Sequence, residues 1–368
     1  MVQGSRIPLV ALLTLYPLMG CGGSNGNAGA ADSGAGDTGW STVGGGEIAP
    51  TAAAFGKLAV ANGVPYAVFE DALNNGQLTV MKFNGSTWVT VGNAGFTPSD
   101  PNIYEIYVDG TTPYVAFISY IDDTLSVMKY NGTAWINVGA AGFATAYQDH
   151  ITLTVSGGIP YVAFADDNSQ VRLMSFNGST WSNVGGPSVA TSGSNVVLAF
   201  LNDYPYLAYY DSSTTYLVMY NGTAWMPVAT SSSTIDDNWA PNLTASNGTL
   251  YLTFYNDTSG PVVLKLNGST LESVGPLGSI ANGDYVEYVS GTVYNGVPYV
   301  AFDDEARDYD PNPMAATVKF FDGTSWQLYA GYPDPCDIED TFLASDQSSG
   351  RLYLTYNDCN GAMTVQVH

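Results

Sequence analysis

Charge is what this sequence has least of. Only 11% of its 368 residues are Asp, Glu, Lys or Arg, and just 9 are basic against 33 acidic. Such a surface repels phosphate backbones, which argues against a nucleic-acid partner. It also repels anionic lipid headgroups, so any membrane attachment would be covalent rather than electrostatic. Histidine falls to two and cysteine to three, with no Cys/His spacing that suits zinc. No Walker loop, dinucleotide fingerprint or nucleophile motif stands in a strand-to-helix context. The net charge of −24 has a plain reading, solubility outside the cell, and a sharper one, attraction of cations or basic partners.

What the chain has in abundance is strand and turn material. Aromatic residues reach 13%, with 26 Tyr and 41 Gly. With 45% hydrophobic residues it can bury a large core. Residues 1–20 read as an export signal. Arg6 is the only positive charge before an apolar stretch, Ile7 to Met19, of 13 residues. That is too short to span a bilayer, which takes about 20 helical residues. It ends in Leu18-Met19-Gly20-Cys21, which resembles the bacterial lipobox. The resemblance implies lipidation at Cys21 and anchoring to the bacterial envelope, at the outer membrane or cell surface. Residues 21–37, rich in Gly, Ala, Ser and Asn, read as a flexible tether.

Residues 38–368 repeat. Asn84-Gly85-Ser86-Thr87-Trp88 recurs at Asn131 to Trp135, Asn177 to Trp181 and Asn221 to Trp225, with weaker copies at Asn267 to Leu271 and Asp322 to Trp326. Successive Trp residues lie 47, 46 and 44 positions apart. A period in the forties with four short strands per unit describes a propeller blade. A second phrase, Tyr66-Ala67-Val68-Phe69, has seven copies, the last at Tyr353 to Tyr356. These runs are apolar on both faces, as a sheet sandwiched between neighbours requires. The Asn-Gly pair predicts a two-residue hairpin between strands c and d. The six Asn-Gly-Ser/Thr triplets are read as turn chemistry rather than as glycosylation acceptors.

The last unit stops after strand c, while Trp40 to Gly44 is an unclaimed copy of strand d. The expected fold is therefore all-β: a seven-bladed β-propeller of four-stranded blades, closed by the N-terminal strand completing the last blade. The chain resembles the tandem-repeat β-propellers of bacterial surface lipoproteins. Its c–d hairpins resemble a shortened Asp-box, lacking one residue between Asn and Gly. Two cysteines, Cys336 and Cys359, flank strands a and b of blade 7 at the same end, where the exported setting permits a disulfide.

Two residue columns fall on the face made by the d–a and b–c loops. The column after strand b (Asp71, Ser119, Asp166, Asp211, Asn256, Asp304, Asp358) reads as turn capping. The column opening strand a varies between blades: Ala54, Asn102, Asp149, Ser194, Trp239, Glu287, and Thr341 beside Asp340. A scaffold does not require variation, so this column supplies the ligand-binding candidates Trp239, Asp237, Asn238, Asp149, His150, Asn102 and Glu287. A Trp beside carboxylates and amides suits a sugar face; equally, Trp239 could plug the channel mouth. The blade 6 insertion holds Asp303, Asp304, Asp308 and Asp310, an oxygen-rich set that suits calcium but lacks the Gly and distal Glu of an EF-hand loop. The alternative is a solvated acidic loop, and no other cofactor is expected.

The expected function is a surface-anchored, monomeric, non-enzymatic binding protein for a glycan or protein partner. The alternative is a glycosidase or lyase using top-face carboxylates. A sialidase is disfavoured, because Arg172, Arg307 and Arg351 sit at unrelated repeat positions.

Overall fold

The computed structural model describes residues 39–46, 48, 53–147, 150–232, 241–281, 286–304, 316–329, 339–358 and 362–368. They belong to a compact unit, Asp37–His368. Seven antiparallel sheets of four strands form seven blades, blade 2 with one short extra strand, Ala144–Thr145. In every blade the strands run a, b, c, d outward. The seven inner strands a are Ala53–Ala61, Pro101–Asp109, Thr152–Ser156, Ser194–Leu201, Asn242–Ser246, Val286–Tyr294 and Glu339–Asp346. Each neighbours the next, and the last neighbours the first, closing a ring.

Strand b shows why the blades stack. In blade 1, Tyr66 and Val68 pack with Tyr104, Ile106, Val115 and Phe117 of blade 2. Ala67 and Phe69, on the opposite face, pack with Tyr353, Met363 and Val365 of blade 7. Period-two alternation thus sends half of each apolar run into each of two seams. Each buried large side chain contributes about 1.5–3 kcal/mol, so the seams are the core.

The ring closes as the repeat requires. Ser41 and Thr42 pair with Val367 and Gln366 of strand c in blade 7. Gln366 Nε2 donates to Thr42 Oγ1 at 3.3 Å and to the Tyr356 hydroxyl at 3.0 Å. The Ile48 N–H donates to the Met363 carbonyl at 2.8 Å, and Trp40, Val43 and Ile48 are buried.

The c–d turns differ from expectation. Phe83 pairs with Trp88, so four residues turn rather than two. The Asn84 Oδ1 accepts from the N–H groups of Ser86 and Thr87, both at 2.9 Å. Asn131, Asn177, Asn221 and Asp322 do the same. Only the Gly of each pair takes positive φ, 97° at Gly85. The Asn is there as a side-chain acceptor. Two-residue Asn-Gly turns with both φ positive do occur, but between strands a and b, at Asn62-Gly63, Asn247-Gly248 and Asn295-Gly296.

Strand d bolts each blade to the one before. The Trp88 Nε1–H donates to the Val43 carbonyl at 2.9 Å, and Trp135 to Val91 at 2.7 Å. Trp181, Trp225 and Trp326 reach Val138, Val184 and Val274 in the same way. The residue after each accepting Val is Gly44, Gly92, Gly139, Gly185 or Gly275, with φ between 75° and 81°. A Cβ there would come within 2.6–3.1 Å of a ring in the next blade. Two seams lack the bond. Between blades 4 and 5 that glycine is Ala229, and Leu271 stands in place of Trp. Between blades 6 and 7 the sequence has Ala330, outside the described residues, and the buried Trp40 Nε1 has no hydrogen-bond partner among the described residues.

Candidate functional site in the central channel

The inner strands enclose a cavity of about 1020 Å³ lined from all seven blades. Pairing register picks out one equivalent residue per blade: Lys57, Glu105, Thr152, Val197, Asn242, Ser290 and Phe342. All seven line the cavity. Their partners on strand b are Val, Ala or Thr, so the scaffold side is uniform while the channel side differs in every blade. Above this ring, bulges interrupt strand a in blades 1, 2, 4, 6 and 7. A bulge re-aims the residue it displaces. Asn195, Tyr288 and Asp340 stand there with φ of 52°, 50° and 59°. With Ile103 and His150 they form a second ring of lining residues at the mouth. Positive φ at a bulky Tyr is an uncommon backbone state.

The channel electrostatics centre on blades 7, 1 and 2. Lys57 Nζ lies 2.8 Å from Glu105 Oε2, bridging adjacent blades. Burial, with the Lys57 ammonium second, pushes the His150 imidazole down to about 3, so it is neutral at physiological pH. Glu70, at the exit of strand b in blade 1, is pushed up to about 8 by burial, then by Asp100 and Asp340. Asp340 accepts from Asn357 Nδ2 at 2.7 Å. The buried Tyr104 phenol, facing a backbone N–H of Glu70, is also raised, chiefly by burial and then by Glu70 and Asp340.

The sequence candidates fall unevenly. His150 lines the mouth. Glu287 pairs with Asp303 just before the bulge, and Asn102 is the displaced residue of the blade 2 bulge. The varying column thus runs one residue ahead of the mouth ring, because the bulge advances the inward position. In blade 7 the register places Glu339, not Thr341, at the column position. Asp303 is buried and accepts from Thr341 Oγ1 of the next blade, which makes it an inter-blade tie. Asp304 ends strand b opposite Val286. Trp239, Asp237, Asn238, Asp149, Asp308, Asp310, Cys21, Cys336 and Cys359 lie outside the described residues. Among the described residues, no group of three or more His, Cys, Asp or Glu is arranged to hold a metal ion. The post-b column caps its turns: Asp71 accepts from the Leu73 N–H, Asp166 from Asn168 and Gln170, Asn256 from Thr258 and Ser259, and Asp358 from Ala362.

Sequence reasoning passes over Lys57, although a signal exists. Lys82, Lys129 and Lys265 share one repeat position before the c–d turn, Lys319 stands one residue earlier on its own strand c, and Lys57 is the only lysine outside strand c.

No family model matches the sequence, and neither does any curated protein. Solved structures share the fold. A puromycin-hydrolyzing peptidase of Mycobacterium tuberculosis aligns with TM-score 0.56 at 12% identity, over 88% of this chain and 52% of that one. This chain therefore spans about half of the peptidase. AofleA from Arthrobotrys oligospora aligns with TM-score 0.49 at 10% identity, over 81% and 90%. An Aleuria aurantia lectin in complex with Fucα1-6GlcNAc aligns with TM-score 0.49 at 11% identity, over 77% and 96%. At these identities the likeness is one of fold.

Proposed function

We propose that this chain is a non-enzymatic binding protein that takes a glycan at the mouth of its central channel. The observation that carries the reading is the channel wall. One repeated scaffold position presents Lys57, Glu105, Thr152, Val197, Asn242, Ser290 and Phe342, a different side chain in each blade. Hydroxyls, an amide and aromatic faces around one cavity are what a sugar's hydroxyls and C–H faces need. A glycan array probed with the full-length chain tests it. A bound glycan should lose about 1–3 kcal/mol of affinity on Asn242→Ala or Phe342→Ala, the worth of a buried anchor. Silence across the array, or unchanged affinity in both variants, would sink the idea.

A glycan-active enzyme is the second reading, and Glu70 favours it. A carboxyl that holds its proton near neutral pH beside Asp340 has the form of an acid–base pair. Turnover of chromogenic glycosides that disappears in Glu70→Gln would move the assignment to this class. We further propose that Cys21 carries the lipid anchor. Its replacement by Ser should abolish metabolic lipid labelling and release the protein from membranes.

A further inference from the structure

Four large apolar side chains stand in solvent on one face of the ring, three of them outside the channel and Tyr147 on its wall. Leu73 is 82% exposed, Ile121 80%, Tyr120 65% and Tyr147 57%. They come from the b–c loops of blades 1 and 2 and from the connection entering blade 3, all at the channel-mouth end. Contacts between the loops that carry them link these positions in series. Gly95 lies against the side chain of Asn74, next to Leu73, and Gly76 lies against Asp100. Pro101 pairs with Ser119, whose Oγ accepts from the Ile121 N–H at 3.3 Å. The Ala146 N–H donates to the Asp123 carbonyl at 3.0 Å, and Tyr147 follows. Loop tips of a soluble surface are ordinarily polar, and clustered apolar tips mark an interaction site.

The chemistry of the ridge selects its occupant. Aliphatic tips at Leu73 and Ile121, with the Tyr120 and Tyr147 rings beside them, suit the apolar stripe of a helix. Carboxylates accompany the ridge at Asp100, Asp122 and Asp123, and the whole chain carries −24. Hydrogen bonds from Ser119, then Thr124, hold the Asp122 carboxyl below its usual range, so it stays charged. We propose that the ridge Leu73–Tyr120–Ile121–Tyr147 docks a basic amphipathic helix of a protein partner, its apolar face on the ridge and its cations on the flanking carboxylates. This site adjoins the channel at Tyr147, which also lines the cavity, and it stands whether or not a glycan binds there.

The test is calorimetry on the full-length chain with a synthetic amphipathic Leu/Lys helix peptide and its Leu/Glu counterpart. The Leu/Lys peptide should bind, more weakly as salt rises, and the Leu/Glu peptide should not. Leu73→Ser with Ile121→Ser should weaken binding by about tenfold or more, near 1.4 kcal/mol. Ile136→Ser, an exposed apolar position on strand d away from the ridge, should leave it unchanged. Circular dichroism should show both variants folded, and glycan-array binding, where present, should persist in both. No binding of the Leu/Lys peptide, or equal loss in the Ile136 control, overturns the proposal. So does capture of phosphatidylcholine vesicles that the double variant abolishes, which would assign the ridge to a membrane surface.

Discussion

Burial favours the neutral form of both His150 and Glu70 and so shifts them in opposite directions, each with a measurable consequence. The folded His150 is neutral down to about 3, whereas an unfolded His titrates near about 6.5. Unfolding therefore takes up a proton between those values. Its contribution to stability is present above about 6.5 and is lost as pH falls toward 3. In His150→Gln, the decline of the melting temperature between pH 6.5 and 4 should be shallower than in the parent. Glu70 works the other way. Its folded value of about 8 lies above the ordinary Glu value of about 4.3, so folding takes up a proton in between. That stability is full at low pH and is lost as pH rises toward 8. Glu70→Gln should melt above the parent at pH 8.5 and level with it at pH 4. A variant that tracks the parent at both pH values would show that Glu70 is ordinary.

Strand d and the glycine after it recur together at five of the seven seams, and their exceptions explain one another. Where the glycine is present, the next indole comes close enough to donate to a carbonyl; where Ala229 or Ala330 replaces it, the bond is absent. Gly92→Ala should therefore force the Trp135 ring away and strain a φ of 76°. The expected loss is about 1–3 kcal/mol of unfolding free energy, the usual cost of overpacking, read by urea denaturation. These elements are legible in the sequence because Trp, Asn-Gly and the apolar b run each serve the same contact in many blades. The turn type is not. Asn-Gly usually means positive φ at both residues, whereas here the carboxamide oxygen of Asn84 gathers two N–H groups instead. The mouth ring stands one position away from the column that the repeat suggests, for a related reason. The bulges are built on Asn195, Tyr288 and Asp340, three residue types with no common turn signal, so nothing in the pattern announces them. Lys57 is legible in principle, since every other lysine stands on a strand c.

For the whole molecule, closure rests on Ser41, Thr42 and Ile48 bonding to blade 7. Removal of residues 38–46 should uncover the edge of strand c at Met363–Val367 and lower the melting temperature by many degrees. Removal of residues 22–36 should leave it unchanged. Equal melting of both truncations would mean that the closing strand contributes nothing. The seven units are alike as structures and unlike at the channel, which is how a duplicated scaffold acquires one asymmetric site.

The distribution of the indole bonds divides the ring mechanically. Blades 7, 1, 2, 3 and 4 are riveted in an unbroken run through Trp88, Trp135, Trp181 and Trp225, and blades 5 and 6 are riveted to each other through Trp326. The two junctions between these arcs are not alike. The one between blades 6 and 7 replaces the indole bond with other directional bonds, from Thr341 to Asp303, between Thr292 and Ser345, and from Gln347 to the Val293 carbonyl. The one between blades 4 and 5 meets through Val228 and Leu271. Apolar surfaces tolerate sliding that a directional bond resists. A load across the ring should thus open the seam between blades 4 and 5 first, and the channel, whose wall crosses that seam, would change bore without any blade unfolding.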